Sequence, residues 1–372
     1  MPPRFGALRR ICESAVADGV VPGLVVLVGS AGRALRHEAF GHRQVVPRRL
    51  RATPDTVYDV ASLTKALVTS VVALQLVNRG QLRLDDLVAL RVPELRGPGK
   101  DKVTVRHLLA HASGLPAHRP FHRAAADSAA PRWLVQILAA REPLERAPGA
   151  GSTYSDIGFI VLGWLIERTA GARLDVLADR GIFTPLGLAS TMFVSLTDAE
   201  PRARLLANRK VAATARCPER RRVLLGEVDD LNTHAMGGIA GHAGLFSTAS
   251  DIGAMAFALI RAWQGGAAAE GALLPRDLMR EMWSSAGIPG STWRLGWDGP
   301  AASGSLAGDV ISRAAVGHLG FTGCSLWIDP AREAFVILLA NRVHPAPRDD
   351  PRFRALRRAV NDAALKAIRY RA

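Results

Sequence analysis

The spacing of apolar positions changes along this chain of 372 residues and distinguishes its two ends from its middle. Near the amino terminus, apolar residues recur at helical spacing over Phe5–Ala17. The next two runs, Val20–Val28 and Leu35–Phe40, are joined through Ala31-Gly32, which predicts a β-hairpin. A further short run, Thr56–Val60, indicates another strand. This end of the chain is therefore expected to supply a helix and several strands.

Helical and loop patterns dominate the middle of the chain, from Ser62 to about Glu227. An arginine-rich stretch in this part, Arg216–Arg222, is interrupted by Pro218 and Glu219, and we interpret it as a solvated loop. The predicted helices of the middle region include Ser62–Arg79, Trp133–Ala140, Ile157–Thr169 and the stretch after Leu174.

Strand patterns return near Leu245 and again at Thr322–Asp329 and Ala334–Ala340, and a last helical pattern covers Pro351–Arg369. Strands at both ends of a helical middle predict an α+β fold, with one sheet made from both termini and an α-rich subdomain inserted between them. We expect residues 1–58 and 236–372 to form the sheet-containing part. Residues 59–235 are expected to form the mainly helical subdomain.

The predicted helix Ser62–Arg79 begins with Ser-Leu-Thr-Lys and is followed by Gly80, where a helix-ending glycine belongs. Ser62 and Lys65 are three residues apart, so they are neighbours on a helix. The positive end of the helix dipole favours negative charge on Ser62 Oγ, and together with burial it disfavours a protonated Lys65. This predicts a serine nucleophile beside its base. A capping serine followed by a solvated lysine would give the same spacing.

Two later segments add candidate chemistry. Tyr154-Ser-Asp156 stands between a Pro-Gly turn and an apolar helical run, where a capped helix start is the structural alternative. His318-Leu-Gly320-Phe321 leads into a predicted strand, where an edge-strand histidine beside a small residue is the alternative.

With these three segments in this order, the chain resembles the serine β-lactamase and penicillin-binding-protein family, most closely its class C β-lactamase-like branch. That family carries S-x-x-K, then Y-x-N, then K-T-G or H-x-G. Three flanking segments also resemble the family, namely Val105–Pro116, Pro148-Gly149 and Gly241–Ala249. The similarity extends over nearly the whole chain. It implies an antiparallel sheet with terminal helices, an α-rich domain, and an active site in the cleft between them.

The resemblance implies acyl transfer with Ser62 as nucleophile and Lys65 and Tyr154 as the proton-transfer pair, with either of the two as base. The oxyanion is expected between the backbone N–H groups of Ser62 and Phe321, the latter next to Gly320. His318 is expected to bind substrate or to assist the proton relay of Tyr154. No cofactor or metal is expected.

Three positions bear on the substrate. Asp156 replaces the asparagine that binds the acylamino carbonyl in the family, and an ionised carboxylate only accepts hydrogen bonds. His318 replaces the lysine, and a histidine is mostly uncharged at neutral pH. Both changes disfavour a substrate carboxylate, such as that of a β-lactam or a peptide C-terminus. His118 lies in the loop where class C-like enzymes place a glutamine that contacts the substrate, so it is expected to face the cleft.

A carboxylesterase-like or D-amino-acid peptidase-like serine hydrolase, acting on a small molecule or a short peptide, is therefore the preferred interpretation. A class C-type β-lactamase is one alternative. A non-catalytic, penicillin-binding-like protein with the same fold is the other.

Charge and composition change this picture little. The net charge is +15, but the arginines are scattered and no nucleic-acid-binding motif accompanies them, so no nucleic-acid partner is expected. No apolar run is long enough to span a membrane. Three tryptophans outside the motifs are expected to lie in the core or in the cleft wall, namely Trp283, Trp293 and Trp297.

The cysteines, Cys12, Cys217 and Cys324, are odd in number and scattered. They predict reduced thiols, and the first ten residues have no apolar export segment, so a cytoplasmic location is expected. Four histidines occur at close spacing and include pairs four residues apart, as in zinc-binding helices, namely His107, His111, His118 and His122. The segment has no H-E-x-x-H pattern and contains two prolines, so a zinc site is not expected.

Overall fold

The computed structural model describes residues 5–265, 271–347 and 349–368. The strands are Gly23–Ser30 (β1), Arg33–Gln44 (β2), Leu50–Arg51 (β3), Tyr58–Asp59 (β4), Met192–Phe193 (β5), Ala213–Cys217 (β6), Arg222–Leu225 (β7), Leu245–Ser247 (β8), Val316–Leu319 (β9), Ser325–Asp329 (β10) and Ala334–Ala340 (β11). The α-helices are Gly6–Ala17 (α1), Ser70–Asn78 (α2), Val105–Leu109 (α3), Phe121–Ala125 (α4), Pro131–Arg141 (α5), Asp156–Ala170 (α6), Leu174–Ala178 (α7), Thr184–Leu186 (α8), Glu200–Asn208 (α9), Leu231–Ala235 (α10), Ala249–Gln264 (α11), Arg276–Trp283 (α12) and Pro351–Ala367 (α13). Shorter helical turns are the π-helical Lys65–Thr69 and Asp179–Phe183 and the 3₁₀-helical Val88–Leu90, Lys100–Lys102 and Pro330–Arg332.

The main sheet joins the two ends of the chain. It has six strands in the order β3-β2-β1-β11-β10-β9, and each neighbouring pair is antiparallel. Strand β1 pairs with β11 from Leu24–Ala340 to Ser30–Ala334. The prediction of an α+β fold with one sheet from both termini is confirmed, and the end of the predicted helix at Arg369 lies outside the described residues.

Both faces of this sheet are covered, which explains why every residue of β1 is buried. Successive side chains of a strand point to opposite faces. Val26 and Val28 pack with the terminal helices α1 and α13, whereas Val25 and Leu27 pack with the core that contains α11. Strand β9 is one of the two edge strands of this sheet, and beyond a single bridge from Gly317 to Asp298 its outer side carries no further strand in the part of the chain that the structure describes, which places His318 beside the cleft.

The middle of the chain contains more β-structure than its pattern predicts. The predicted strand Thr56–Val60 shortens to β4, which joins β8 and β5 in a small separate sheet. Strands β6 and β7 form a hairpin, so the predicted solvated loop Arg216–Arg222 is the exposed turn of this hairpin together with the adjoining strand ends. Arg220 is the largely buried arginine of this segment, and its guanidinium donates to two backbone carbonyl oxygens at 2.7 Å.

The predicted helix Ser62–Arg79 begins differently from a regular α-helix. Residues Lys65–Thr69 form a π-helical turn, and α2 follows. Ser70 Oγ donates to the carbonyl oxygens of Lys65 and Ala66, each at 2.9 Å, and such back-bonding competes with regular helical hydrogen bonds. The helix ends as predicted, with Gly80 in the left-handed region at a φ of 69°. Across the described ranges, no helix combines the length and apolar character that crossing a membrane requires.

Candidate active site

Ser62 lies in a turn immediately before the helical segment that leads into α2. The preceding residue, Ala61, has a φ of 47°, which non-glycine residues rarely adopt. Asp59 Oδ1 accepts a hydrogen bond from Ala61 N at 2.9 Å, and Ala61 O accepts one from Thr64 Oγ1 at 2.6 Å. Thr322 Oγ1 donates to Asp59 O at 2.7 Å. The turn that presents Ser62 is therefore fixed from both sides of the cleft.

Lys65 joins the predicted catalytic residues in one cluster. Its side chain is fully buried, and Nζ donates to Ser62 Oγ at 2.9 Å, to Tyr154 OH at 2.8 Å and to the backbone oxygen of His242 at 3.0 Å. Asp156 Oδ1 lies 2.7 Å from the same nitrogen in an ion pair. The alternative of a solvated lysine after a capping serine is wrong.

The protonation of Lys65 is opposite to the sequence expectation. Burial disfavours its charged form, but the Asp156 carboxylate and the Tyr154 hydroxyl together outweigh burial and raise the pKa of Lys65 above its ordinary value. Burial acts to raise the pKa of Asp156, but the Lys65 cation and the hydrogen bond with His118 together outweigh burial, and this pKa falls well below its usual range. Burial raises the pKa of Tyr154, and Asp156 adds to this increase. The resting site therefore contains an ammonium, a carboxylate and a neutral phenol.

His318 is neutral, as expected, but for a stronger reason than its ordinary pKa. Burial lowers the pKa of His318 to about 3, and the Lys65 cation acts in the same direction. His318 Nδ1 lies 2.9 Å from Leu319 O, and because a carbonyl oxygen only accepts, Nδ1 carries the proton. Nε2 is then an acceptor, and it is buried with no hydrogen-bond partner among the described residues. No fixed cation stands at this position.

Two backbone amides are suitably placed for an oxyanion. Neither Ser62 N nor Phe321 N donates to an acceptor within the described part of the protein. Phe321 follows Gly320, whose backbone passes so close to β4 and the turn after it that a Cβ atom would lie 2.5 Å from Val60 O. A glycine is required for this approach, and it brings the amide of Phe321 to the side of the cleft that holds Ser62.

Arg357 of α13 holds the turn that carries Phe321. Its Nη2 atom donates to Gly320 O at 2.8 Å and to Cys324 O at 2.9 Å, and Gly320 N donates to Cys324 O at 2.7 Å. Burial lowers the pKa of Arg357 to about 10, so it remains a cation at neutral pH. Arg357 belongs to none of the sequence motifs. It occupies a position on the buried, mainly apolar stripe of α13, between Phe353 and Val360.

A cavity of about 710 Å³ opens beside these groups, and every predicted site residue except Lys65 lines it. His118 faces the cavity as expected, with Nδ1 3.5 Å from Asp156 Oδ2. Trp293 forms one wall and stacks on the Tyr154 ring with 5.3 Å between ring centroids. The other two tryptophans, Trp283 and Trp297, are buried in the core. The cleft therefore combines an aromatic wall with a charged floor.

Sequence reasoning did not identify Asp59, His242 or Arg357 as parts of the site, and it left Trp293 open between the core and the cleft wall. Asp59 lies three residues before Ser62, and His242 lies inside the family-like segment Gly241–Ala249. These positions in the sequence were the available signal that both residues belong to the site. Among the described residues, no group of three or more His, Cys, Asp or Glu side chains is placed to hold a metal ion. The histidines considered for zinc have other contacts, such as the buried packing of His111 against Tyr154 at 4.8 Å.

Solved structures with the same fold have low sequence identity to this chain. The hydrolase EstCE1, described as having promiscuous acyltransferase activity, aligns with a TM-score of 0.74 at 19% identity over 97% of this chain and 98% of its own. The octameric penicillin-binding protein homologue from Pyrococcus abyssi aligns with a TM-score of 0.70 at 23% identity over 90% of this chain and 73% of its own. These similarities show the β-lactamase/transpeptidase-like fold.

Sequence relatives are closer. A protein of Escherichia coli (strain K12) named "Putative D-alanyl-D-alanine carboxypeptidase" is 31% identical over 81% of this chain and 72% of its own length. An N-acetylmuramyl-L-alanine amidase of Bacillus subtilis (strain 168) is 30% identical over 92% of this chain and 81% of its own length. The family model described as Beta-lactamase matches residues 8–361. The chain therefore belongs to the β-lactamase family and is a serine hydrolase of the acyl-enzyme type.

Proposed function

We propose that Ser62 is the nucleophile and that the Lys65–Tyr154 pair, after it has lost one proton to solvent, takes up the proton of Ser62. The supporting observation is the position of Lys65 Nζ, within hydrogen-bond distance of both Ser62 Oγ and Tyr154 OH. Attack of Ser62 Oγ on an ester or amide carbonyl forms the acyl-enzyme and releases the leaving group. Tyr154 returns the proton to that leaving group and later takes one from the deacylating water.

The developing oxyanion accepts hydrogen bonds from the amides of Ser62 and Phe321. Both amides lack an acceptor among the described residues, so they require no reorganisation when the negative charge appears. Arg357 keeps the second amide in place through the carbonyl groups of the turn.

The preferred substrates are uncharged esters, or D-amino-acid peptides that meet the site with an amine and not with a carboxylate, with a carboxylesterase-like or D-amino-acid peptidase-like activity. The neutral His318 offers a lone pair at Nε2, which suits a hydrogen-bond donor of the substrate and not a carboxylate. A class C-type β-lactamase is the less favoured candidate, because a β-lactam carboxylate would lack the cation it meets in the family's lysine-containing sites. Relatives named as a carboxypeptidase and an amidase agree with amide substrates.

A hydrolysis panel tests the substrate class. Purified protein is assayed with short p-nitrophenyl esters, D-Ala-D-Ala peptides and nitrocefin, and Ser62 is labelled in parallel with a fluorophosphonate probe. We expect labelling at Ser62 and a kcat/KM on p-nitrophenyl butyrate well above that on nitrocefin. Absence of both labelling and turnover would favour a non-catalytic binding protein, whereas preference for nitrocefin would favour the β-lactamase.

We also propose the division into a sheet-containing part, 1–58 with 236–372, and a helical subdomain, 59–235, with the site between them. Ser62 and Tyr154 come from the second part, and His318 and Phe321 come from the first. A cytoplasmic location is proposed on the free state of all three cysteines.

A further inference from the structure

Asp156 pairs directly with the lysine of the first motif. The carboxylate at this position does not extend alone into the cleft, because Oδ1 lies 2.7 Å from Lys65 Nζ. Its side chain is 21% exposed, and Oδ2 lies 3.5 Å from His118 Nδ1 at the cavity edge. An anion in this place acts directly on the group that activates Ser62.

We propose that Asp156 is a positioning residue that holds Lys65 as a cation, so that Ser62 is activated efficiently only when alkaline pH removes a proton from the Lys65–Tyr154 pair. This proposal rests on the proposed function, with Ser62 as nucleophile. The family's asparagine would have the same shape but no charge, and it would leave a buried lysine to lose its proton more easily.

The other titratable groups around the pair do not replace the charge of Asp156. Burial lowers the pKa of both His111 and His318, so both are neutral. The other carboxylate near the pair, Asp230, contacts the His242 ring instead of Lys65, with Oδ1 2.8 Å from His242 Nε2. The hydrogen bond to Asp156 raises the pKa of His118, and His118 stands on the solvent side of the carboxylate. Asp156 is therefore the anion in contact with Lys65.

Asp156 shifts the pH–rate profile in the same direction whether Lys65 or Tyr154 is the base. Asp156 raises the pKa of Lys65 and also that of Tyr154. A general base works in its deprotonated form, so a higher pKa moves the acid limb of the pH–rate profile to higher pH. Loss of the carboxylate lowers both pKa values and moves this limb to lower pH.

The experiment measures kcat/KM for p-nitrophenyl butyrate and the rate of fluorophosphonate labelling of Ser62 from pH 5.5 to pH 10. Ser62→Ala protein serves as the blank for spontaneous hydrolysis. For the wild-type enzyme we expect half-maximal rates above about pH 8. In Asp156→Asn the acid limb should move down by at least about one pH unit, which is about tenfold in rate relative to its own plateau on the acid side.

Two further variants separate charge from shape. Asp156→Glu keeps the carboxylate and should keep the alkaline limb, even if its maximal rate falls. Asp298→Asn removes a carboxylate that lines the same cavity but pairs with Thr292 Oγ1, and it should leave the position of the limb unchanged. Circular dichroism and thermal unfolding check that each variant is folded.

Each outcome decides the proposal. The proposal is overturned if the acid limb of the pH–rate profile stays at the same pH in Asp156→Asn protein that still labels at Ser62. It is also overturned if the acid limb moves to higher pH, which would indicate that Asp156 itself accepts a proton. If Asp156→Asn does not fold, the wild-type profile still decides, because half-maximal labelling below about pH 7 contradicts a lysine held as a cation. Loss of all labelling in the folded wild-type protein would refute the proposed function itself, which is a different result.

Discussion

Ser62 Oγ is the atom on which the proposed chemistry depends, and Lys65 Nζ lies 2.9 Å from it. Ser62→Ala should therefore reduce ester hydrolysis by about 10³-fold or more and abolish covalent labelling, with thermal unfolding little changed. Ser303→Ala, which alters an exposed loop serine, is the matched control and should behave like wild type. Near wild-type hydrolysis by folded Ser62→Ala protein would contradict the assignment of the nucleophile.

Two further residues, His318 and Asp156, are expected to control the preference of the enzyme between neutral and carboxylate-bearing substrates. A charge-assisted contact is worth about 1.5–3 kcal/mol, or about 10- to 150-fold. His318→Lys combined with Asp156→Asn should therefore shift the nitrocefin-to-ester ratio of kcat/KM by at least about tenfold towards nitrocefin. The two single variants complete the cycle and separate the contributions. An unchanged ratio in a folded double variant that labels at Ser62 would show that these positions do not set specificity.

At the scale of elements, helix α13 supports the turn between β9 and β10 through Arg357. Arg357→Met removes the charged donor shared by Gly320 O and Cys324 O, each of which keeps one backbone donor, and a hydrogen bond from a charged group contributes about 1.5–3 kcal/mol. We expect the free energy of unfolding in urea to fall by about this amount and kcat/KM to fall at least about tenfold, since the Phe321 amide loses its support.

Arg354→Met is the control for this change, because Arg354 lies on the exposed face of the same helix. It should leave both the unfolding free energy and kcat/KM close to wild type. If Arg357→Met lowered stability without lowering kcat/KM, the link between α13 and the oxyanion site would be wrong.

For the whole molecule, the buried cysteines give a test of the reduced state. Burial raises the pKa of Cys12 to about 12 and that of Cys324 to about 11, so both are unreactive thiols in the native protein. Iodoacetamide should modify these two thiols slowly before unfolding. After unfolding in urea without reductant, mass spectrometry should find all three cysteines alkylated. An intramolecular disulfide would contradict both the free thiols and the cytoplasmic proposal.

The sequence by itself determined the order of the three motifs and the sheet made from both chain ends. These features depend on local spacing, which the chain records directly: Ser62 and Lys65 are one helical turn apart, and β11 has the predicted bounds. Local spacing does not predict the π-helical turn at Lys65–Thr69. This turn is accompanied by side-chain contacts to residues distant in sequence, such as the hydrogen bond from Thr69 Oγ1 to Gly241 O.

Only the tertiary structure decided the charge of Lys65, the neutrality of His318 and the role of Arg357. A pKa depends on burial and on which charges come within a few ångströms, and the decisive partner of Lys65 is Asp156, which is distant in sequence. The spacing of the motifs indicated that these residues meet, but the balance between desolvation and an ion pair at 2.7 Å is a property of the folded cleft.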